Sequence, residues 1–92
     1  MPQVFKLGGY MVYFWTNEGC PIEPLHVHFT QGTPSREDTK VWITRSGGCL
    51  LCHNKGRIPS RVLIQLMRIV EARSMAVEMK WRQTFGEVSF YC

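Results

Sequence analysis

The amino-acid sequence predicts an α+β fold: a small, mostly antiparallel β-sheet of about four to five short strands, packed by a C-terminal helix or bent helix pair. Three observations carry this expectation. Short runs of aromatic and β-branched residues, each closed by Gly, Pro or polar residues, fill positions 1–52. From Pro59 onward the apolar residues switch to a helical period. The chain has 92 residues and 45% hydrophobic content, enough for one adequate core, so residues 1–92 are expected to form a single domain.

The elements follow in order. Val4 to Leu7 is a short extended start that Gly8-Gly9 interrupts. Tyr10-Met11-Val12-Tyr13-Phe14-Trp15 is the pattern of a strand buried on both faces, and Thr16-Asn17-Glu18-Gly19 is turn chemistry. Pro21 and Pro24 keep the next residues irregular before a strand over Leu25-His26-Val27-His28-Phe29. Residues 30–39 read as a polar loop, the segment most suited to motion. Lys40 to Arg45 and Cys49 to Cys52 flank Ser46-Gly47-Gly48 as a hairpin, and Asn54-Lys55-Gly56 turns the chain. Pro59 suits a first helical turn. Leu63, Leu66, Met67 and Val70 then follow the i, i+3, i+4, i+7 template, with Arg57, Arg61 and Arg68 expected on another stripe. Val77, Trp81 and Phe85 continue the apolar pattern past Ala72-Arg73-Ser74, where a break or bend is expected, and Gly86 suits a helix end. Val88 to Tyr91 alternates weakly, as a last edge strand would.

Composition excludes several classes. Charged residues at 20% beside 45% hydrophobic do not describe a disordered tail or a collagen-like repeat. No apolar run approaches the roughly 18 residues of a membrane-spanning helix, so no membrane partner is expected. Met1-Pro2-Gln3-Val4-Phe5-Lys6 has neither the basic nor the apolar region of a signal peptide. The expectation is a cytoplasmic protein whose Cys20, Cys49, Cys52 and Cys92 are reduced thiols.

The formal charge of +4 is uneven. Residues 1–52 are neutral, and residues 53–92 carry the whole excess through Lys55, Arg57, Arg61, Arg68, Arg73, Lys80 and Arg82 against Glu71, Glu78 and Glu87. A nucleic-acid or acidic-partner surface shows such an asymmetry, and so does a solvated helix face. Lys55, Arg57, Arg61 and Arg68 are the candidate contacts to RNA, DNA or an acidic protein.

His26 and His28 are the candidate catalytic pair. At i and i+2 on a strand their rings project from one face while Val27 and Phe29 face the core. Two imidazoles side by side fit acid–base work on an RNA phosphodiester, a weak metal site, or a hydrogen-bonded polar face. Two ligands fall short of a zinc site, so no metal or other cofactor is expected. Cys49-Leu50-Leu51-Cys52-His53 matches a haem-attachment string, but that chemistry needs an exported protein. Tyr10, Tyr13, Trp15 and Trp42 could in principle stack bases, but aromatic strands in a small domain usually fill the core.

The placed segments resemble a small bacterial family catalogued as domain of unknown function 4160. The resemblance rests on Met1-Pro2-x-Val4-Phe5, Gly9-Tyr10-x-Val12-Tyr13-Phe14 with Asn17-Glu18-Gly19, and Glu23-Pro24-x-His26-Val27-His28. It continues through Lys40-Val41-Trp42-Ile43, Asn54-Lys55-x-Arg57-Ile58-Pro59 and Trp81-x-x-x-Phe85-Gly86, nearly end to end. Leu25 stands where a second proline is common, and Cys49 and Cys52 are outside the pattern. The resemblance implies a cytosolic protein of unestablished activity, similar to components of two-gene modules of the toxin–antitoxin kind, with a small partner protein. It brings no catalytic residues.

Three functions remain in competition: a module component that contacts nucleic acid through a basic helix, a non-catalytic module that binds an acidic protein, and a metal protein built on His-Val-His. Whether the chain is an enzyme is open; the enzymatic form of the first would be a metal-independent ribonuclease, with an arginine of the 57/61/68 set stabilising the phosphorane. A homodimer formed through the terminal strand is a further expectation.

Overall fold

The computed structural model describes residues 3–16 and 21–92. The expected turn at Asn17, Glu18 and Gly19, together with Met1, Pro2 and Cys20, lies outside the described residues. Five strands, β1 (Gln3–Leu7), β2 (Tyr10–Tyr13), β3 (His26–Thr30), β4 (Thr39–Ile43) and β5 (Cys49–His53), precede two helices, α1 (Ser60–Ala72) and α2 (Ser74–Phe85). The sheet is an antiparallel meander in the order β1-β2-β3-β4-β5. The α+β class holds.

Local chemistry explains the connections. Gly8 and Gly9 both have positive φ, at 49° and 86°, which is what a two-residue hairpin between right-twisted strands requires. The β4–β5 hairpin closes through Thr44 N–H to Gly48 O at 2.8 Å and Gly47 N–H to Thr44 O at 2.9 Å.

One face of the sheet carries Val12, Val27, Phe29, Val41 and Ile43, all buried, against Leu63, Leu66 and Val70 of α1 and Val77 and Trp81 of α2. Phe14, just past β2, tilts against Trp81 at 4.9 Å between ring centroids and completes this core. Both predicted helical stripes are therefore the packing faces. The helices are two, separated at Arg73 (φ −112°, ψ 18°), whose N–H still reaches Ile69 O and Val70 O at 3.1 Å. Gly86 caps α2 in the left-handed conformation.

Two expectations change. Arg57 does not share a helical stripe with Arg61 and Arg68. Pro59 is the N-cap and α1 begins at Ser60, so Arg57 stands in the preceding turn with φ 55°. The cause is Asn54, whose side chain accepts the Ile58 N–H at 3.0 Å and donates to Ile58 O at 2.9 Å, while Pro59 disfavours a helical residue before it. The segment Val88 to Tyr91 is likewise not a strand. Its backbone is tied within the chain at single points, Leu25 N–H to Ser89 O at 2.8 Å and Arg45 N–H to Cys92 O at 3.0 Å, and Val88 and Phe90 rest on the core. The strand through which a homodimer was expected is not formed.

The Asn54 turn is also docked onto the sheet, through Thr39 Oγ1 to Asn54 Oδ1 at 2.6 Å. Gly56 makes that approach possible: a Cβ there would lie 2.8 Å from Thr39 Oγ1 and 3.1 Å from Thr39 N. Gly56→Ala is predicted to lower unfolding stability by about 1–3 kcal/mol, the cost of overpacking a fixed backbone contact. Urea denaturation followed by circular dichroism measures it; an unchanged midpoint would show that the turn relaxes freely.

Candidate functional site

The helices cover one face of the sheet, and the alternation of β-strands places the other set of side chains together on the opposite face. Cross-strand pairing aligns Tyr13 with His28, His28 with Lys40, His26 with Trp42, and Lys40 with His53. A row of ring contacts results. Trp15 meets Tyr13 edge-on at 5.4 Å, Tyr13 stacks on His28 at 5.3 Å, His28 meets His26 at 5.1 Å, and His26 meets Trp42 at 5.6 Å. Tyr91 of the terminal segment lies flat on Trp42, 4.8 Å away and 3° from parallel. The Lys40 ammonium stands 4.4 Å from the Trp42 ring centroid and pairs with Glu23 at 2.5 Å.

His26 and His28 therefore point to one side as the spacing predicted, with Val27 and Phe29 in the core. Their environments differ. His26 is 0% exposed, its Nδ1 lies 2.8 Å from Pro24 O, and its ring also meets Trp81 at 5.2 Å. An imidazole enclosed in this way is a structural bridge between the sheet face and α2, with no surface through which to meet a phosphodiester. His28 is half-buried beneath Tyr13.

Tyr13 is anchored by a residue that sequence patterning did not single out. Its hydroxyl donates to Asp38, whose carboxylate also accepts the Ser35 N–H at 2.9 Å. Burial above all, then the hydrogen bond and charge of Asp38, hold the Tyr13 hydroxyl far above its ordinary ionisation range. The end of the polar 30–39 loop is thus fastened to the sheet, with Asp38 and Thr39 buried. Tyr13→Phe is predicted to cost about 1–3 kcal/mol, because a buried carboxylate loses a donor. Thermal and urea unfolding test this; a loss below about 0.5 kcal/mol would mean Asp38 finds water instead.

The basic residues lie elsewhere. Lys55 and Arg57 are exposed in the β5–α1 turn, and Arg61 and Arg68 are exposed on α1, seven residues apart and so on one stripe about 10 Å long. Among the described residues none of the four takes part in an ion pair. Arg61 and Arg68 stand on the solvent side of α1, whose buried side packs on the core, whereas His26 is enclosed, so His26 and these arginines do not face one site. Cations do converge at the end of β5. His53 has its proton affinity lowered, by burial first and then by Lys55 and Lys40, while Glu37 acts weakly the other way. Lys55 N–H approaches His53 Nδ1 at 3.4 Å, which leaves Nε2 to carry the proton of the neutral ring.

The cysteines form no site among the described residues. Cys49, Cys52 and Cys92 are free thiols, and among the described residues no group of three or more His, Cys, Asp or Glu could hold a metal ion. Cys49 joins β5 to α1, with its N–H donated to Glu71 at 2.9 Å and its thiol 3.6 Å from Met67 O. Burial and the Glu71 charge push this thiol up to about 12, which suits packing rather than ligation. No helix among the described residues is long and apolar enough to cross a membrane.

A family model described as Domain of unknown function (DUF4160) matches residues 9–82. The chain belongs to this family. No curated protein and no solved structure matches the chain. The DUF4160 match includes the His-Val-His strand, the Lys40–Ile43 strand and the Asn54–Pro59 turn, while Phe85-Gly86 falls beyond it. In this DUF4160 chain those three segments build the helix-free face and the turn that leads into the basic helix.

The His53 environment makes a prediction. Its NMR titration midpoint lies below the ordinary 6.5, and Lys55→Gln moves it upward. The neutral ring is favoured in the native state, so this contribution to stability is present above about pH 6.5 and is lost as pH falls through the native midpoint. A midpoint unmoved by Lys55→Gln would refute the electrostatic part of the explanation.

Proposed function

We propose that this DUF4160 protein is a cytoplasmic, non-catalytic binding component of a two-protein module of the toxin–antitoxin kind, and that it contacts nucleic acid through Lys55, Arg57, Arg61 and Arg68. The observation that carries the reading is the exposure of these four cations together on the β5–α1 turn and one stripe of α1. Nearby acids are otherwise engaged: Glu71 accepts the Cys49 N–H and Glu78 pairs with Arg82. Four exposed cations that take no part in an ion pair among the described residues attract a polyanion and release its counterions on binding. The module setting comes from the family resemblance, and the enclosure of His26 favours binding over hydrolysis.

Binding of labelled single-stranded RNA, read by fluorescence anisotropy, is expected to weaken linearly in log salt. Four phosphate contacts imply a slope of about −2.8, a loss of roughly 50-fold between 50 and 200 mM salt. Arg61→Ala combined with Arg68→Ala should reduce that slope by about half. A slope unchanged by the double substitution would overturn this interface. Salt-sensitive binding to polyglutamate with none to RNA or DNA would assign the surface to an acidic protein.

A further inference from the structure

The helix-free face holds a feature that the basic stripe does not use. Most ring contacts on this face are edge-on: Trp15–Tyr13 at 89°, His26–His28 at 89° and His26–Trp42 at 79°. Tyr13 on His28 is stacked at 28°, and Tyr91 on Trp42 comes closer to parallel, within 3° at 4.8 Å. Parallel offset stacking is the geometry in which an aromatic side chain takes a planar base. Tyr91 is also 57% exposed, so its ring sits on the site more than it is buried by it.

The surroundings suit a nucleotide. The Lys40 ammonium lies over the indole ring, 4.4 Å from its centroid and paired with Glu23, and its cross-strand neighbour is His53. His53 adjoins Lys55, the first of the four exposed cations. From the indole, Lys40 and His53 thus lead across β4 and β5 to the basic turn. His53, neutral near pH 7, offers a hydrogen bond to a base edge, and Lys55 offers charge to a phosphate.

We propose that the face of the Trp42 indole covered by Tyr91 is a stacking site for one unpaired base of a single-stranded nucleic acid, and that Tyr91 occupies this site until the base displaces it. The proposal rests on the nucleic-acid reading above and adds to it the strandedness of the ligand and the residue that reads it. A base held in a duplex is already stacked and cannot enter. Single strands are therefore preferred over the same sequence paired.

The test measures anisotropy of a labelled 12-nucleotide oligoadenylate RNA and of its duplex with oligouridylate, on the full chain. Trp42→Ala is expected to weaken single-strand binding about tenfold, Trp42→Phe much less, and neither to change the salt slope, because no charge is removed. Tyr91→Ala is expected to tighten single-strand binding several-fold, since the site no longer has to be vacated. Tyr91 is a surface residue, so this variant decides the matter even where Trp42→Ala fails to fold. Single-strand affinity that is unchanged or weaker in Tyr91→Ala overturns the stacking site. If Arg61→Ala with Arg68→Ala still weakens binding in that case, the basic interface stands without it. Absence of binding by the unsubstituted protein overturns both.

Discussion

A five-stranded sheet has two faces, and this chain supplies helix for only one of them. Everything else in the structure answers that imbalance. Leu63, Leu66, Val70, Val77 and Trp81 close the first face with ordinary apolar packing. The second face has to be closed by side chains that tolerate both neighbours and water, and the chain uses aromatic and imidazole rings turned against one another. Rings bury large areas while leaving polar edges accessible, which is what a half-covered sheet needs.

The same imbalance separates two kinds of chemistry. Positive charge accumulates on the helical side and in the turn leading to it, while the sheet's open side carries rings and little net charge. β5, at the sheet edge, is where they meet: His53 looks toward Lys40 on one side and Lys55 on the other. The edge is also apolar, with Leu50 and Leu51 exposed, so its outer surface joins three characters within a few residues.

Much of this was legible in the residues themselves. Period-two alternation put His26 and His28 on one face and Val27 and Phe29 on the other, and the helical period named the packing stripes correctly. What was not legible depends on contacts between distant residues. Asp38 sits in a polar loop that reads as solvent-facing, and only the folded chain brings it under the Tyr13 hydroxyl 25 residues away. Nothing local marks Tyr91 as the partner of Trp42. The spacing of Arg57 from Arg61 fits a helical stripe. The side chain of Asn54 closes the turn first and removes Arg57 from it. His26, read as half of a reactive pair, is enclosed because Trp81 arrives from α2.

The break at Arg73 has a consequence in length. The apolar stripe keeps its phase across it, since Val70 and Val77 are seven residues apart and nearly superimpose around a helix. Residues 60–85 as one uninterrupted rod would extend about 39 Å, whereas the longest dimension of the molecule is 33 Å. Strands of five residues reach only about 17 Å, so a straight rod would carry half of its apolar surface out over water. Divided at Arg73, each piece is about 18–20 Å long, close to the reach of the strands it packs on. The joint is in effect a ruler. It matches a long amphipathic segment to a short sheet without altering which residues face it.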